Sequence, residues 1–272
     1  PRVRTITACQ GEAICPSGCI DTYALAKELD DRYFARELPH KFKFGITGCQ
    51  NNCLKSEEND LGIKGGIQVS WREEDCIQCG VCVKACRSNA ITLEDGKISV
   101  DESKCNFCGR CYKACPTEAW DTVHGYIVSF GGLFGNSISK GEAIIPFLPD
   151  KETLLKVCDA TIQFFADHAK PGERFKFTLD RVGRESFENL IQEVVKNGDT
   201  VDITDVVCPV TFVKAKVALE ELDDGQVLSI KMNDGEPVQN VPRSIKEEGH
   251  KILKLIDNED GTYNLIVKKV GD

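Results

Sequence analysis

Thirteen of the fifteen cysteines in this 272-residue chain lie before residue 116, and twelve of those fall in three sets of four. They are Cys9, Cys15, Cys49 and Cys53; then Cys76, Cys79, Cys82 and Cys86; then Cys105, Cys108, Cys111 and Cys115. Any fold of this chain has to bring each set together. Disulfide-rich domains are small, secreted and dominated by loops, whereas these cysteines sit in a long chain with helical and strand patterns on both sides, so metal is favoured over disulfides. Zinc sites use ligands in pairs, which does not match two successive runs of four. Cys19, Cys158 and Cys208 are left over.

The rest of the composition is that of an ordinary globular chain. With 41% hydrophobic and 28% charged residues, wholesale disorder and collagen-like structure are excluded. The 34 basic and 43 acidic side chains give a net charge of −9, and without a basic block no nucleic-acid partner is expected. A small anion would need a locally basic pocket. Apolar stretches are broken well short of the roughly 20 residues that span a bilayer, so no membrane partner is expected. No secretory signal precedes Pro1 and no Met opens the chain, which reads as a cytoplasmic protein, processed or excised from a longer one.

Cys76-Ile-Gln-Cys-Gly-Val-Cys-Val-Lys-Ala-Cys86 and Cys105-Asn-Phe-Cys-Gly-Arg-Cys-Tyr-Lys-Ala-Cys115-Pro116 repeat the pattern C-x2-C-x2-C-x3-C. This resembles the bacterial two-cluster ferredoxin. The resemblance implies two 4Fe–4S clusters with crossed ligation. Cys76, Cys79, Cys82 and Cys115 would hold one; Cys105, Cys108, Cys111 and Cys86 the other. Gly80 and Gly109 are expected to let the backbone approach the sulfides, and Ala85 and Ala114 to leave room beside them. Arg87 stands where the first run would usually carry proline.

Cys9-x5-Cys15 and Cys49-x3-Cys53 resemble the signature of sirohaem-containing sulfite and nitrite reductases. That family holds a third 4Fe–4S cluster on four such cysteines, and by resemblance Cys53 also bridges to the sirohaem iron. Arg2-Val-Arg4 resembles its basic lead-in, with Arg2 and Arg4 as cofactor-binding residues. Leu38-Pro-His-Lys-Phe-Lys-Phe44 resembles its Pro-x-Lys-Phe-Lys strand. Alternation in an extended segment puts Lys41 and Lys43 on one face, Phe42 and Phe44 on the other. Two ammonium groups side by side call for an anion, such as sulfite or a tetrapyrrole carboxylate, and Arg4 adds a guanidinium. His40 is placed to assist proton delivery or to be solvated. Cys19 reads as a bystander that spacing alone leaves able to replace a ligand.

Gly125 to Asn136, with its Gly-Gly-x-x-Gly loop, a helix from about Lys151 to Ala169, and Pro171-Gly-Glu-Arg-Phe175 resemble the later part of the same domain. The fold class is therefore α+β: a sirohaem reductase-like domain of residues 1–71 and 120–197, interrupted by a ferredoxin insertion of residues 72–119. Sirohaem reductases wrap the macrocycle between two related halves, and the half expected ahead of the first cysteines is missing before Pro1, so either a reductase fragment or a residual domain that kept only its cluster is expected. From residue 198 to 272 the order βαβαββ resembles the TusA-type sulfur carriers, a two-layer sandwich. Its expected elements are a strand from Thr200, a helix to Leu222, strand Gln226–Met232, helix Pro242–Gly249 and strands Lys251–Ile256 and Tyr263–Lys268. Thr211 replaces the second proline of that family's Cys-Pro-x-Pro. Cys208 before Pro209 would sit at a helix N-terminus, where amides and macrodipole favour a thiolate able to carry a persulfide. Cys158 reads as core, and His124, His168 and His250 as surface or capping residues.

The leading expectation is a sulfite reductase, with nitrite as an alternative substrate. Electrons from a donor protein would enter through the ferredoxin run and pass to the Cys9 cluster and a sirohaem. Catalysis would rest on Lys41, Lys43 and Arg4, and sulfur exchange with a donor or acceptor on Cys208. The rival is an electron-transfer and sulfur-relay protein without a sirohaem active site.

Overall fold

The structure, a computed structural model, describes residues 2–196, 200–204, 210–222, 224–258 and 260–271. The chain divides into two compact units, one of residues 1–149 and 161–188, the other of 150–160 and 189–272. The class is mixed α+β, as the sequence pattern requires.

The first unit is built on a five-stranded sheet. Its early elements are β1 (Thr7–Ala8), α1 (Gly11–Ile14), α2 (Thr22–Tyr33), β2 (Phe44–Thr47) and β3 (Leu61–Trp71). Helix α2 starts where Asp21 accepts a hydrogen bond from the Ala24 amide at 2.9 Å, satisfying one orphan donor. Leu25, Leu29 and Tyr33, four residues apart, form its buried face. Every residue of β2 is buried, as a central strand covered on both faces demands. The expected strand around Lys41 is shorter than its pattern: Phe42 makes an isolated parallel bridge to Val3 and regular pairing begins at Phe44. The alternation nonetheless holds, with Phe42 and Phe44 fully buried and Lys41 and Lys43 half-buried. Phe42 lies 5.3 Å from Phe44, 5.5 Å from Phe165 and 5.4 Å from Phe175 by ring centroids, so the lysine-bearing segment is anchored by an aromatic core.

Residues 72–119 leave and rejoin this sheet at one point. They carry α3 (Val81–Ala85), the hairpin β4 (Ile91–Glu94) and β5 (Lys97–Val100), and α4 (Arg110–Lys113). Strand β6 (Trp120–Phe130) then pairs antiparallel with β3 from Leu61↔Phe130 to Trp71↔Trp120. Arg72 closes the neck: its amide donates to the Ala119 carbonyl at 3.1 Å, and its guanidinium to the Glu118 carbonyl at 2.7 Å and Asp121 at 3.1 Å. Strand β7 (Glu142–Ala143) completes the order β1-β2-β3-β6-β7. Helices α5 (Lys151–His168), α6 (Phe175–Val182) and α7 (Arg184–Lys196) follow.

In the second unit, β8 (Thr200–Asp202), α8 (Val210–Glu220), β9 (Val227–Asn233), α9 (Glu236–Glu247), β10 (Lys251–Asp257) and β11 (Thr262–Lys268) follow the expected βαβαββ order. The sheet order is β10-β11-β9-β8, with β8 and β9 parallel and the rest antiparallel. Its core includes Leu219, Leu228, Ile230, Met232, Val241 and Ile245. Helix α9 begins six residues before the expected Pro242. Pro237 takes the first turn, where its missing N–H costs nothing. Val241 and Ile245, four apart and buried, with Val238 beside them, give this stretch one apolar stripe that carries it through Pro242.

Candidate functional site

Cys9, Cys15, Cys49 and Cys53 line one cavity of about 400 Å³, together with Thr47, Gly48 and Asn52. The sheet sets this up. Cys9 follows β1 and its amide donates to the Ile46 carbonyl of β2 at 3.0 Å, while its sulfur accepts the Gly48 amide at 3.0 Å. Cys15 ends α1, and Cys49 and Cys53 lie in the turn that leaves β2. Burial pushes the Cys49 thiol up, and the neighbouring Cys15, Cys53 and Cys9 add to the rise. Four soft thiols around one space, with an amide aimed at a sulfur, fit an iron–sulfur cluster. Cys53 is the exposed member of the set. Cys19 is 1% exposed, its thiol donates to the Ser17 carbonyl at 3.5 Å, and it does not line the cavity. Burial raises its thiol to about 11. Among the described residues no three His, Cys, Asp or Glu side chains converge at single-ion distances.

The two ferredoxin-like runs fold as near copies of each other. Gln78 and Phe107 have φ near 57° and 56°, and Gly80 and Gly109 have φ 68° and 65° and start α3 and α4. The two glycines therefore serve a left-handed turn that L side chains rarely adopt. The Ala90 amide donates to the Cys86 sulfur at 3.2 Å and the Ala119 amide to the Cys115 sulfur at 3.4 Å. Cys86, Cys105, Cys108 and Cys111 line one small cavity, which brings Cys86 to the other run's thiols. Cys76 and Cys115 in turn lie close enough to Cys82 to raise it, although burial is the larger cause. Cys79 is exposed on the loop beside them.

A third cavity, of about 640 Å³, has Cys49 and Cys108 in its wall. Lys84, Arg87, Arg110 and Lys113 line it without a carboxylate. Arg87, the departure from the usual run, thus belongs to a basic groove.

The basic lead-in runs beside the lysine segment, with the Arg4 amide donating to the Phe42 carbonyl at 2.9 Å. Arg2 and Arg4 are exposed. Sequence reasoning missed the residue that holds Lys43 in place. Asp60 is fully buried; one of its oxygens accepts the Lys43 amide at 2.9 Å, and both accept Arg174 Nη2 at 2.9 Å. The signal was a carboxylate directly ahead of the buried strand β3, matched by the arginine of Gly172-Glu-Arg-Phe175. Burial pushes the Asp60 carboxyl up to about 6, against the pull of Arg174. The turn that presents Arg174 is held by Glu173, whose carboxylate takes Arg181 at 2.8 and 2.9 Å and the Lys170 amide at 2.9 Å. His40 is depressed first by burial, then by Lys41, Arg174 and Arg4 around it.

Cys208 and Pro209 lie outside the described residues. Thr211, on α8, is buried. Cys158 is buried as expected. His168 and His124 contact the carbonyls of Phe164 and Cys19 at 2.9 and 2.8 Å, and His250 accepts the Val270 amide at 3.4 Å.

Residues 1–198 match the family model of the nitrite and sulphite reductase 4Fe-4S domain, and residues 199–269 that of the sulfurtransferase TusA. The coenzyme F420-dependent sulfite reductase of Methanocaldococcus jannaschii is 35% identical over 200 residues, which are 72% of this chain and 32% of that one. One component of the anaerobic sulfite reductase of Salmonella typhimurium is 45% identical over 120 residues, covering 43% of this chain and 35% of its own. A putative sulfur carrier protein of Archaeoglobus fulgidus is 32% identical over 75 residues, 28% of this chain and 85% of its own. The chain thus spans about a third of the length of the two reductases. A crystal structure of dissimilatory sulfite reductase I shares the fold with a TM-score of 0.54 at 22% identity, over 70% of this chain and 52% of that one.

Proposed function

Since the chain belongs to the nitrite and sulphite reductase 4Fe-4S domain family and continues into a TusA-type sulfurtransferase domain, we propose that it is the cluster-bearing part of a sulfite-reducing enzyme with a built-in sulfur carrier. The observation that carries this reading is the cavity ringed by Cys9, Cys15, Cys49 and Cys53; the segment bearing Lys41 and Lys43 leads into β2, the strand that ends at that cavity with Thr47. In this reading three 4Fe–4S clusters are held, one by that ring and two by residues 72–119 with Cys86 and Cys115 exchanged between runs. Cys108 and Cys49 share the wall of one cavity, which supports electron passage from the Cys86/Cys105/Cys108/Cys111 set to the first set.

Cys53, exposed, is the residue that would contact sirohaem, and Arg2 and Arg4 would meet its carboxylates. When bound, sirohaem supplies the electron chemistry at iron. The chain's own residues supply charge and protons. Lys41 and Lys43 stabilise the oxyanion and donate protons as S–O bonds break, with Arg4 as a further cation. Asp60 and Arg174 hold the Lys43 backbone. His40, kept below its ordinary value by burial and the surrounding cations, is neutral near pH 7 and able to pass a proton. Sulfite is favoured over nitrite because the second domain handles sulfur, with Cys208 as the residue that exchanges it with a donor or acceptor.

Anaerobic purification followed by iron analysis and a visible spectrum tests the reading. About twelve cluster irons per chain together with sirohaem bands are expected. Iron nearer eight would remove the third cluster. Cluster absorption alone, in protein made where sirohaem is available, would leave an electron-transfer and sulfur-relay protein.

A further inference from the structure

The two ferredoxin-like loops have the same backbone but opposite surroundings. In Cys105–Gly109, Phe107 stacks on Phe147 at 5.0 Å, its carbonyl accepts the Ile67 amide at 2.7 Å, and Cys108 bridges to β3. That loop is covered by the sheet. Its counterpart, Cys76–Gly80, is open: Ile77 is 63% exposed, Val81 38%, and Cys79 between them is exposed. Large apolar side chains beside an exposed thiol of a cluster set are costly to leave in water unless something uses them.

The charges around the open loop are mostly acidic. Glu73, Glu74 and Asp75 precede it, all exposed, with Asp75 paired to Arg72 at 2.8 Å. The hairpin turn lies against its far side, since a Cβ on Gly96 would come within 2.9 Å of the Gln78 side chain. That turn brings exposed Glu94 and Asp95. Lys84 and Lys97 are the nearby cations. The groove that Lys84 shares with Arg87, Arg110 and Lys113, next to Cys49 and Cys108, has the reverse character. Carboxylates thus flank the open loop on two sides, while the groove at Cys49 and Cys108 is lined by cations without a carboxylate.

We propose that the loop Cys76–Val81 is the docking face for a separate electron-carrier protein whose exposed redox centre is rimmed by lysines. The apolar pair Ile77 and Val81 makes the dry centre of the contact, and the carboxylates on both sides select and steer the basic partner. Electrons then enter at the Cys76/Cys79/Cys82/Cys115 set and leave toward Cys49 through the covered one. The proposal rests on the reading that both sets hold clusters.

Horse-heart cytochrome c, a basic carrier with an exposed haem edge, is a suitable probe. The full chain with its clusters is reduced with titanium(III) citrate and mixed anaerobically with the ferric protein. One electron leaves a reduced cluster and converts haem Fe(III) to Fe(II), with no proton exchanged. The second-order rate should fall at least ~10-fold between 20 and 500 mM salt, because opposite charges on the two faces are screened. Glu73→Gln/Glu74→Gln should slow it about 5-fold at low salt and converge with wild type at high salt. Ile77→Ser should slow it at both, while Lys113→Met, in the basic groove, should leave it unchanged. A rate that is flat or rises with salt, or a double variant equal to wild type, would overturn the docking face. So would faster oxidation by an acidic carrier, cytochrome b5, that is lost in Lys113→Met. Iron content read on the same samples separates the two failures: a chain without cluster iron sinks the cluster reading as well, whereas loaded chains with the wrong salt dependence sink the docking alone.

Discussion

Replacing Arg174 with Met should make the protein's stability pH-dependent in a window set by Asp60. In the native fold Asp60 is fully buried and accepts from Arg174 and the Lys43 amide, each at 2.9 Å. Burial raises its carboxyl from 3.8 to about 6 even with Arg174 beside it. A carboxyl whose folded value lies above the unfolded one takes up a proton on folding. Its contribution favours the fold at low pH and is lost as pH rises through the folded value. Removing Arg174 takes away the group that pulls that value down, so it moves above 6. At pH 5 both proteins hold Asp60 neutral and differ mainly by lost contacts. At pH 8 the wild type carries a paired carboxylate while the variant must bury a lone one or keep it protonated. Two pH units at ~1.36 kcal/mol each give a gap of roughly 3 kcal/mol, in line with the about 3–5 kcal/mol of breaking a buried pair. For a unit of this size that is about 6–12 °C in Tm. Thermal unfolding followed by circular dichroism at pH 5, 6.5 and 8 reads it. Asp60→Asn/Arg174→Met should lose the pH dependence. A gap between wild type and Arg174→Met that is equal at pH 5 and pH 8 would refute the pairing argument.

Cys53→Ser should disturb the first cluster and any coupled sirohaem while leaving the spectra of the other two clusters; unchanged spectra would move the bridging role to another thiol. Lys41→Met and Lys43→Met keep the apolar stem and remove an ammonium, so cluster iron should persist while sulfite turnover of the complete enzyme falls roughly 10²-fold, in the range of one positioned proton donor or charge. Retained turnover in both would remove them from the site. Cys208 should alkylate with an apparent pKa below the ~8.5 of a free thiol and gain a labile sulfur from a persulfide donor, mapped by peptide mass spectrometry. No added sulfur at that peptide would reduce the second domain to a docking module.

What the sequence determined by itself is what short-range geometry encodes. Cysteine spacing within a few residues dictates which thiols share a turn, so the two runs of residues 76–86 and 105–115 and the separate pairs Cys9/Cys15 and Cys49/Cys53 were legible in the sequence, whereas joining those two pairs into one set came from the family resemblance. The period of two put Phe42 and Phe44 inward and Lys41 and Lys43 outward, although regular pairing begins only at Phe44. The alternation of strand and helix patterns after residue 198 gave the second unit's order, while Pro242 misplaced the start of α9 because a buried stripe at Val238, Val241 and Ile245 outweighs one proline. Tertiary structure decided what depends on partners far along the chain. Asp60 meets Arg174 across more than a hundred residues, and no local period marks either as one half of a pair. The repeat made the loops Cys76–Gly80 and Cys105–Gly109 look equivalent. Only the antiparallel return of β6 onto β3, with Ile67 seated on Phe107, covers one and leaves the other open to solvent.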